Sequence, residues 1–196
     1  MKVELAMRMP SWFFVRRTNM ENQSTKKLVL AGFFIALGLI LPFITGQIPS
    51  IGNKLLPMHI PVLIAGFVLG GKYGFAIGFI VPILRSLTLG MPPMFPIAIA
   101  MAFELGVYGL ITGFLYKKLS KNTINIYISL IVAMIAGRLV WGIVSYILFG
   151  INNTAFTWEM FIAGAFLNAS IGIVIQLIII PLIISALYKS GALSYE

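Results

Sequence analysis

Residues 52–110 read GNKLLPMHIPVLIAGFVLGGKYGFAIGFIVPILRSLTLGMPPMFPIAIAMAFELGVYGL. This long run contains few charged side chains, yet His59, Arg85 and Glu104 lie within it. Short turns rich in Gly and Pro interrupt the run, as they do between closely connected membrane-spanning helices. Polar side chains inside a bilayer are costly, so these three residues are candidate functional residues.

The composition of the whole chain points to the same class of protein. Of its 196 residues, 60% are hydrophobic and 10% are charged, whereas a soluble globular domain has roughly 25% charged residues. A membrane-spanning helix needs about 20 apolar residues. The sequence therefore predicts an all-α integral membrane protein with six transmembrane helices.

The apolar runs divide the chain into one membrane domain with two tails. We expect a polar N-terminal tail at 1–25, the six-helix domain at 26–190 and a C-terminal tail at 191–196. The predicted spans are about 27–45, 55–69, 73–89, 94–116, 124–149 and 158–189.

The basic residues predict the orientation of these spans. With the N-terminus inside, eleven of the fourteen Lys and Arg residues lie on the inner side. Lys54 alone lies outside, and Arg85 and Arg138 lie within spans. Because cytoplasmic loops are enriched in Lys and Arg, we expect both termini to be cytoplasmic.

The residue types give little support to catalysis. The chain has no Cys and no Asp, a single His and five Glu, so thiol chemistry and carboxylate-based metal chemistry are disfavoured. Residues 66–73 read GFVLGGKY, which resembles a phosphate-binding loop. However, Tyr73 stands where that loop requires Ser or Thr, and no strand precedes it. We expect a protein that is not an enzyme, with no catalytic residue, no resident metal and no cofactor.

Glu104 and Arg138 are predicted to be the deepest charges. They lie on consecutive antiparallel spans, so they can meet at mid-depth, either as a structural ion pair or facing a ligand cavity. Other polar and aromatic residues can contact a ligand, or they can anchor the helices at the membrane interface and pack between them. The full set of candidate ligand-binding residues is Asn53, Lys54, His59, Arg85, Glu104, Tyr108, Arg138, Trp141 and Asn168. Of these, Asn53, Lys54, His59 and Arg85 are predicted near the outer rim, Tyr108 and Trp141 can stack on a planar ligand, and the Asn168 amide lies near the midplane.

Three segments carry a resemblance to a known family. They read PMHIPVLIAGFVLGGKYGFAIGF, LRSLTLGMPP and FPIAIAMAFELGVYGL, at 57–79, 84–93 and 95–110. Over about 26–190 the chain resembles the substrate-binding S component of an energy-coupling-factor (ECF) vitamin transporter. The resemblance implies a multi-pass protein of the bacterial cell membrane whose ligand site is built from the first outer loop and spans 4 to 6. It also implies a transmembrane coupling protein and two ATP-binding subunits as partners.

In this family, small residues on span 1 dock on the coupling protein. The matching residues here are Gly32 and Ala36, four apart, with Ala31 as the alternative first position. Small residues at that spacing let another helix approach closely.

The ligand implied by the resemblance is a water-soluble vitamin or precursor. The sequence looks most like hydroxymethylpyrimidine or pyridoxine-type members, since Glu104 suits a heterocycle that donates hydrogen bonds. Pantothenate, whose carboxylate would prefer Arg85, Arg138 or Lys54, and riboflavin remain alternatives. A stand-alone proton-coupled secondary transporter, with Glu104 as the proton carrier, is a further alternative.

Overall fold

Six helices make up the computed structural model, which describes residues 11–45, 54–151 and 153–191. The predicted number of helices is confirmed, and no strand occurs in the described ranges. The helices are α1 (Ser11–Ile40, continued by a 3-10 turn at Leu41–Thr45), α2 (His59–Leu69), α3 (Gly71–Leu89), α4 (Met94–Lys118), α5 (Thr123–Ile151) and α6 (Trp158–Lys189). α4 is kinked in Met94–Ala98, where Phe95 adopts an extended conformation (φ −115°, ψ 132°), and a wide helical turn occurs at Ala163–Leu167 in α6.

The second helix is much shorter than a membrane span. Five of the six helices are long and apolar enough to cross a bilayer, and α2 with 11 residues is the exception. At 1.5 Å per residue it extends about 16 Å, roughly half of a hydrocarbon core. The span predicted from 55 therefore begins later, at His59, after a turn in which Leu56 adopts a φ of 51°. Nearly all of α2 is buried, so it is an interior helix of the bundle.

The first helix begins earlier than predicted. It starts at Ser11, so residues 11–25 of the expected polar tail are helical, and residues 1–10 lie outside the described part of the chain. No Gly or Pro occurs between Pro10 and Gly32, so nothing in the sequence interrupts the helix before the apolar run.

Glycines bring α3 and α4 together at backbone distance. A Cβ added to Gly74 would collide with the backbone of Gly109, and one added to Gly78 would collide with the backbone of Leu105. Likewise, a Cβ on Gly66 of α2 would meet the Thr112 side chain and the Gly109 carbonyl. Because small residues let helix backbones approach closely, these positions fix α2 and α3 against α4.

The fourth helix is central to the bundle. It contacts α2, α3 and α5, and its buried residues include Glu104, Tyr108 and Thr112 at successive turns. Since α-helical residues four apart share a face, this row of polar side chains lies on one interior face of α4. The fold thus places polar groups in the centre of an apolar bundle.

Candidate functional site

A buried carboxylate on α4 collects polar groups from three helices. The Glu104 Oε1 atom lies 2.9 Å from Nη1 of Arg138 on α5 and accepts a hydrogen bond of 3.1 Å from the Tyr108 hydroxyl. The Nε2 atom of His59, at the start of α2, lies 3.6 Å from the same oxygen. All four residues are at most 5% exposed. We call Glu104, Arg138, His59 and Tyr108 the carboxylate cluster.

The local sequence explains how these side chains meet. Tyr108 follows Glu104 by one helical turn, so its hydroxyl reaches back to the carboxylate. A Cβ on Gly137 would collide with the Tyr108 ring, so the glycine makes room for that ring and brings the next residue, Arg138, toward Glu104. The His59 and Tyr108 rings meet edge to face, with centroids 5.5 Å apart.

Several buried polar atoms of this cluster have no hydrogen-bond partner. Within the described chain these atoms are Nε and Nη2 of Arg138 and both ring nitrogens of His59. A buried polar group without a partner costs about 1–3 kcal/mol, and such groups are rare in native proteins. Glu104 balances the charge of Arg138, so the cluster is a neutral pair with spare hydrogen-bonding capacity. It can therefore bind an uncharged polar molecule through hydrogen bonds, and the buried site stays electrically neutral.

The expected meeting of Glu104 and Arg138 is confirmed by their contact. His59, expected near the outer rim, has a side chain that is buried against Glu104 rather than exposed. It begins α2, nearly all of whose residues are buried in the bundle. Whether any of these residues contacts a ligand stays a prediction.

Arg85, expected near the rim of a ligand pocket, instead contacts the end of α1. Its Nη1 donates a 2.7 Å hydrogen bond to the Leu39 carbonyl near the end of α1, and its guanidinium lies 5.3 Å from the centroid of the Phe43 ring. Arg85 is buried, while the Lys54 side chain is exposed. Asn53 lies outside the described residues. Arg85 therefore joins α3 to α1, and these contacts do not link it to the carboxylate cluster.

The two remaining candidates lie elsewhere on α5 and α6. Trp141 is half-buried in an aromatic group, with ring centroids 5.7 Å from Phe156 and 6.3 Å from Phe161. The Asn168 side chain is exposed, and its backbone N–H closes the wide turn of α6 by donating to Ala163. Whether Asn168 or Trp141 contacts a ligand stays a prediction.

An apolar groove lies beside the aromatic group. It has a volume of about 450 Å³ and is open at the surface. It is lined by Leu139, Gly142, Ile143, Tyr146, Phe156, Thr157, Trp158 and Phe161. Such a lining offers few groups for orienting a polar molecule.

Two buried polar residues were not predicted as site residues. Gln176 on α6 and Ser129 on α5 are completely buried, and their side-chain polar atoms have no hydrogen-bond partner in the described chain. The sequence feature that could have identified them is a polar residue within a long apolar helix. For Gln176, the small residue Gly172 one turn earlier on the same face also indicates a helix face that packs closely on a neighbour.

The predicted docking residues on α1 fall on two faces. Gly32 and Ala36 are exposed, and a Cβ added to Gly32 would meet nothing within 4 Å. Ala31 is buried in the core and cannot belong to the same outward face. If α1 docks on a partner, the outward register is Gly32 with Ala36.

The described residues contain no group of three His, Cys, Asp or Glu side chains that could hold a metal ion.

A model of the family "ECF transporter, substrate-specific component" matches residues 26–184. No curated protein and no solved structure matches the chain significantly. The match covers most of the chain and includes α2 to α5 in full, and the helices are those of a multi-pass membrane protein. The chain therefore belongs to the family of ECF transporter substrate-specific components, which are substrate-binding transporter subunits rather than enzymes.

Proposed function

We propose that this subunit binds one molecule of a hydroxymethylpyrimidine or pyridoxine-type compound at the carboxylate cluster. The observation that carries the proposal is the set of buried polar atoms on Arg138 and His59 that lack partners in the described chain. A ligand that supplies those partners would remove a cost that the unliganded bundle bears.

The neutral charge of the cluster favours a neutral heterocycle over an anion. Arg138 already contacts Glu104 through Nη1, which leaves Nε and Nη2 as donors for an acceptor on the ligand. The carboxylate oxygens of Glu104 can accept from a ligand amino or hydroxyl group. A carboxylate such as that of pantothenate would compete with Glu104 for Arg138, and a buried charge left without a partner is strongly destabilising.

The proposed subunit works in a bacterial cell membrane with both termini in the cytoplasm. The excess of Lys and Arg on the predicted inner side supports this orientation. It places the start of α2 and the Arg85 end of α3 toward the outside, from which the ligand would enter. A transmembrane coupling protein and two ATP-binding subunits would power release on the inner side.

Binding to the purified chain tests the proposal. Full-length protein in detergent or nanodiscs is titrated by calorimetry, without ATP, with hydroxymethylpyrimidine, pyridoxine, pantothenate and riboflavin. Mass spectrometry identifies any ligand that co-purifies. We expect tight binding of a neutral heterocycle at a ratio of about one to one. Preferential binding of pantothenate or riboflavin would overturn the choice of ligand, and absence of binding to the whole panel would overturn the proposal.

Uptake measurements test the partner requirement. In cells that express the chain, we expect accumulation of labelled ligand to need the coupling protein and both ATP-binding subunits. Uptake that persists without those subunits and depends on the proton gradient would instead identify a secondary transporter, with Glu104 as the first residue to test.

A further inference from the structure

Gln176 is a fully buried amide with no partner for either polar atom. It lies in the middle of α6, and both Oε1 and Nε2 lack a hydrogen bond in the described chain. A primary amide has two donor hydrogens and an acceptor oxygen. Leaving these unpaired in an apolar bundle is costly, so the position calls for a binding partner.

The packing of α6 places Gln176 one helical turn from a backbone contact with the residues that precede α2. A Cβ added to Gly172 would lie 2.7 Å from the Lys54 carbonyl oxygen and 2.9 Å from that of Leu55, just before α2. Gln176 follows Gly172 by four residues and His59 follows Leu55 by four residues. Gln176 lies one helical turn, about 6 Å, beyond Gly172, and His59 begins α2 directly after the turn that follows Leu55, so both residues lie shortly beyond this backbone contact.

Gln176 also points toward the side of α6 that packs on the rest of the bundle. The buried residues Gly172, Gln176, Ile180 and Ile184 repeat every four positions and form one face of α6. Gly172 places that face against the residues just before α2, and α6 contacts both α2 and α5. Thus the unpaired amide lies on the face of α6 that packs toward the helices that supply His59 and Arg138.

We propose that Gln176 is a further ligand-contacting residue that determines specificity. Its amide pairs with a heterocycle edge on which an exocyclic amino group stands next to a ring nitrogen. The amino group donates to Oε1, and the ring nitrogen accepts from Nε2. This is the paired geometry with which Gln or Asn reads the amino and ring-nitrogen edge of adenine.

The inference rests on the proposed function and narrows it. Hydroxymethylpyrimidine in its aminopyrimidine form carries the required edge. Pyridoxine has a ring nitrogen but no amino group beside it, and pantothenate has no ring. Gln176 therefore selects the aminopyrimidine within the proposed class of ligands.

The test compares two ligands on two proteins by calorimetry. The full-length wild type and Gln176→Met are each titrated with aminopyrimidine-type hydroxymethylpyrimidine and with its analogue that lacks the amino group. We expect wild type to prefer the amino compound by about 10–100-fold, as one paired edge can discriminate, and Gln176→Met to lose most of that preference. Met has a similar shape but cannot form the pair.

Ser129→Ala is the matched control. Ser129 is also buried and unpartnered, but it precedes Arg138 by nine residues on α5, about 14 Å along the helix. We expect this variant to keep the wild-type preference. We also expect unliganded Gln176→Met to melt no lower than wild type, because the substitution removes an unpaired buried amide.

The outcomes separate the two proposals. If wild type binds the amino compound and Gln176→Met keeps the full preference, the role of Gln176 is overturned and the proposed function stands. If wild type binds no compound of the panel, the proposed function fails first. If Gln176→Met does not fold, the wild-type comparison decides, and equal affinity for the two compounds overturns the inference.

Discussion

Arg138 Nη1 lies 2.9 Å from Oε1 of Glu104, and both side chains are buried between α4 and α5. A buried ion pair is stable only while both members are present. The pair therefore joins two helices and, at the same time, holds polar groups ready in an apolar bundle. Single substitutions affect both roles together, so separating the roles requires a paired substitution.

Glu104→Gln should lower both stability and ligand affinity. The amide keeps the shape of the side chain but leaves the Arg138 charge without a counter-ion, which typically costs about 3–5 kcal/mol. We expect a clear fall in the melting temperature of the detergent-solubilised protein. Calorimetry should show weaker binding of hydroxymethylpyrimidine.

Replacement of both charges separates the structural role from the binding role. Apolar replacement of a buried ion pair is often close to neutral for stability, so Glu104→Leu with Arg138→Met should regain most of the lost melting temperature. It should not regain ligand binding. Wild-type affinity in this double variant would show that the pair is structural alone.

The sequence allowed the Glu104–Arg138 contact to be predicted because neighbouring spans run antiparallel and both charges are predicted near mid-depth. The burial of His59 against Glu104 could not be predicted by counting residues along the chain. It depends on the packing of an 11-residue interior helix. The exposure of the Asn168 side chain was likewise not predictable, since Asn168 directly follows a wide turn in α6.

The number of helices was predictable because Gly, Pro and charged residues separate the apolar runs, although the run that forms α2 gives a helix too short to span a bilayer. The tight packing around α4 was only partly predictable. Gly74 and Gly78 show small-residue spacing in the sequence, but the partner of each glycine depends on the relative register of two helices. That register is a property of the packed bundle rather than of either segment alone.

Gly109→Ala should destabilise the bundle. The added methyl group would collide with the backbone of Gly74, and backbone cannot move aside as a flexible side chain can. Overpacking of this kind costs about 1–3 kcal/mol. Melting temperature and the yield of monodisperse protein measure the effect.

Gly150→Ala is the control for this substitution, because a Cβ there would meet nothing within 4 Å. We expect wild-type melting behaviour from it. Equal behaviour of the Gly109 and Gly150 variants would contradict the close approach of α3 and α4.

Arg85→Met should loosen the contact between α3 and the end of α1. It removes the charged hydrogen bond to the Leu39 carbonyl, which is worth about 1.5–3 kcal/mol, and the contact with Phe43. We expect a lower melting temperature and a smaller loss of ligand affinity than Arg138→Met causes. Arg85→Lys, which keeps a donor, should recover part of the stability. An affinity loss as large as that of Arg138→Met would instead place Arg85 at the ligand.

Gly32→Trp should abolish uptake while leaving ligand binding unchanged. Gly32 and Ala36 form an exposed, smooth strip on α1, and a Cβ on Gly32 meets nothing within the chain. A bulky indole there would keep a partner helix from approaching closely, but it would not disturb the bundle. Calorimetry on the purified variant and uptake in cells with the complete transporter measure the two effects.

Ala31→Trp provides the contrast, because Ala31 is buried in the core and the same substitution should lower the yield of folded protein. Normal uptake by Gly32→Trp would rule out this face of α1 as the docking surface, and equal loss of binding and uptake would show that the residue supports the fold instead.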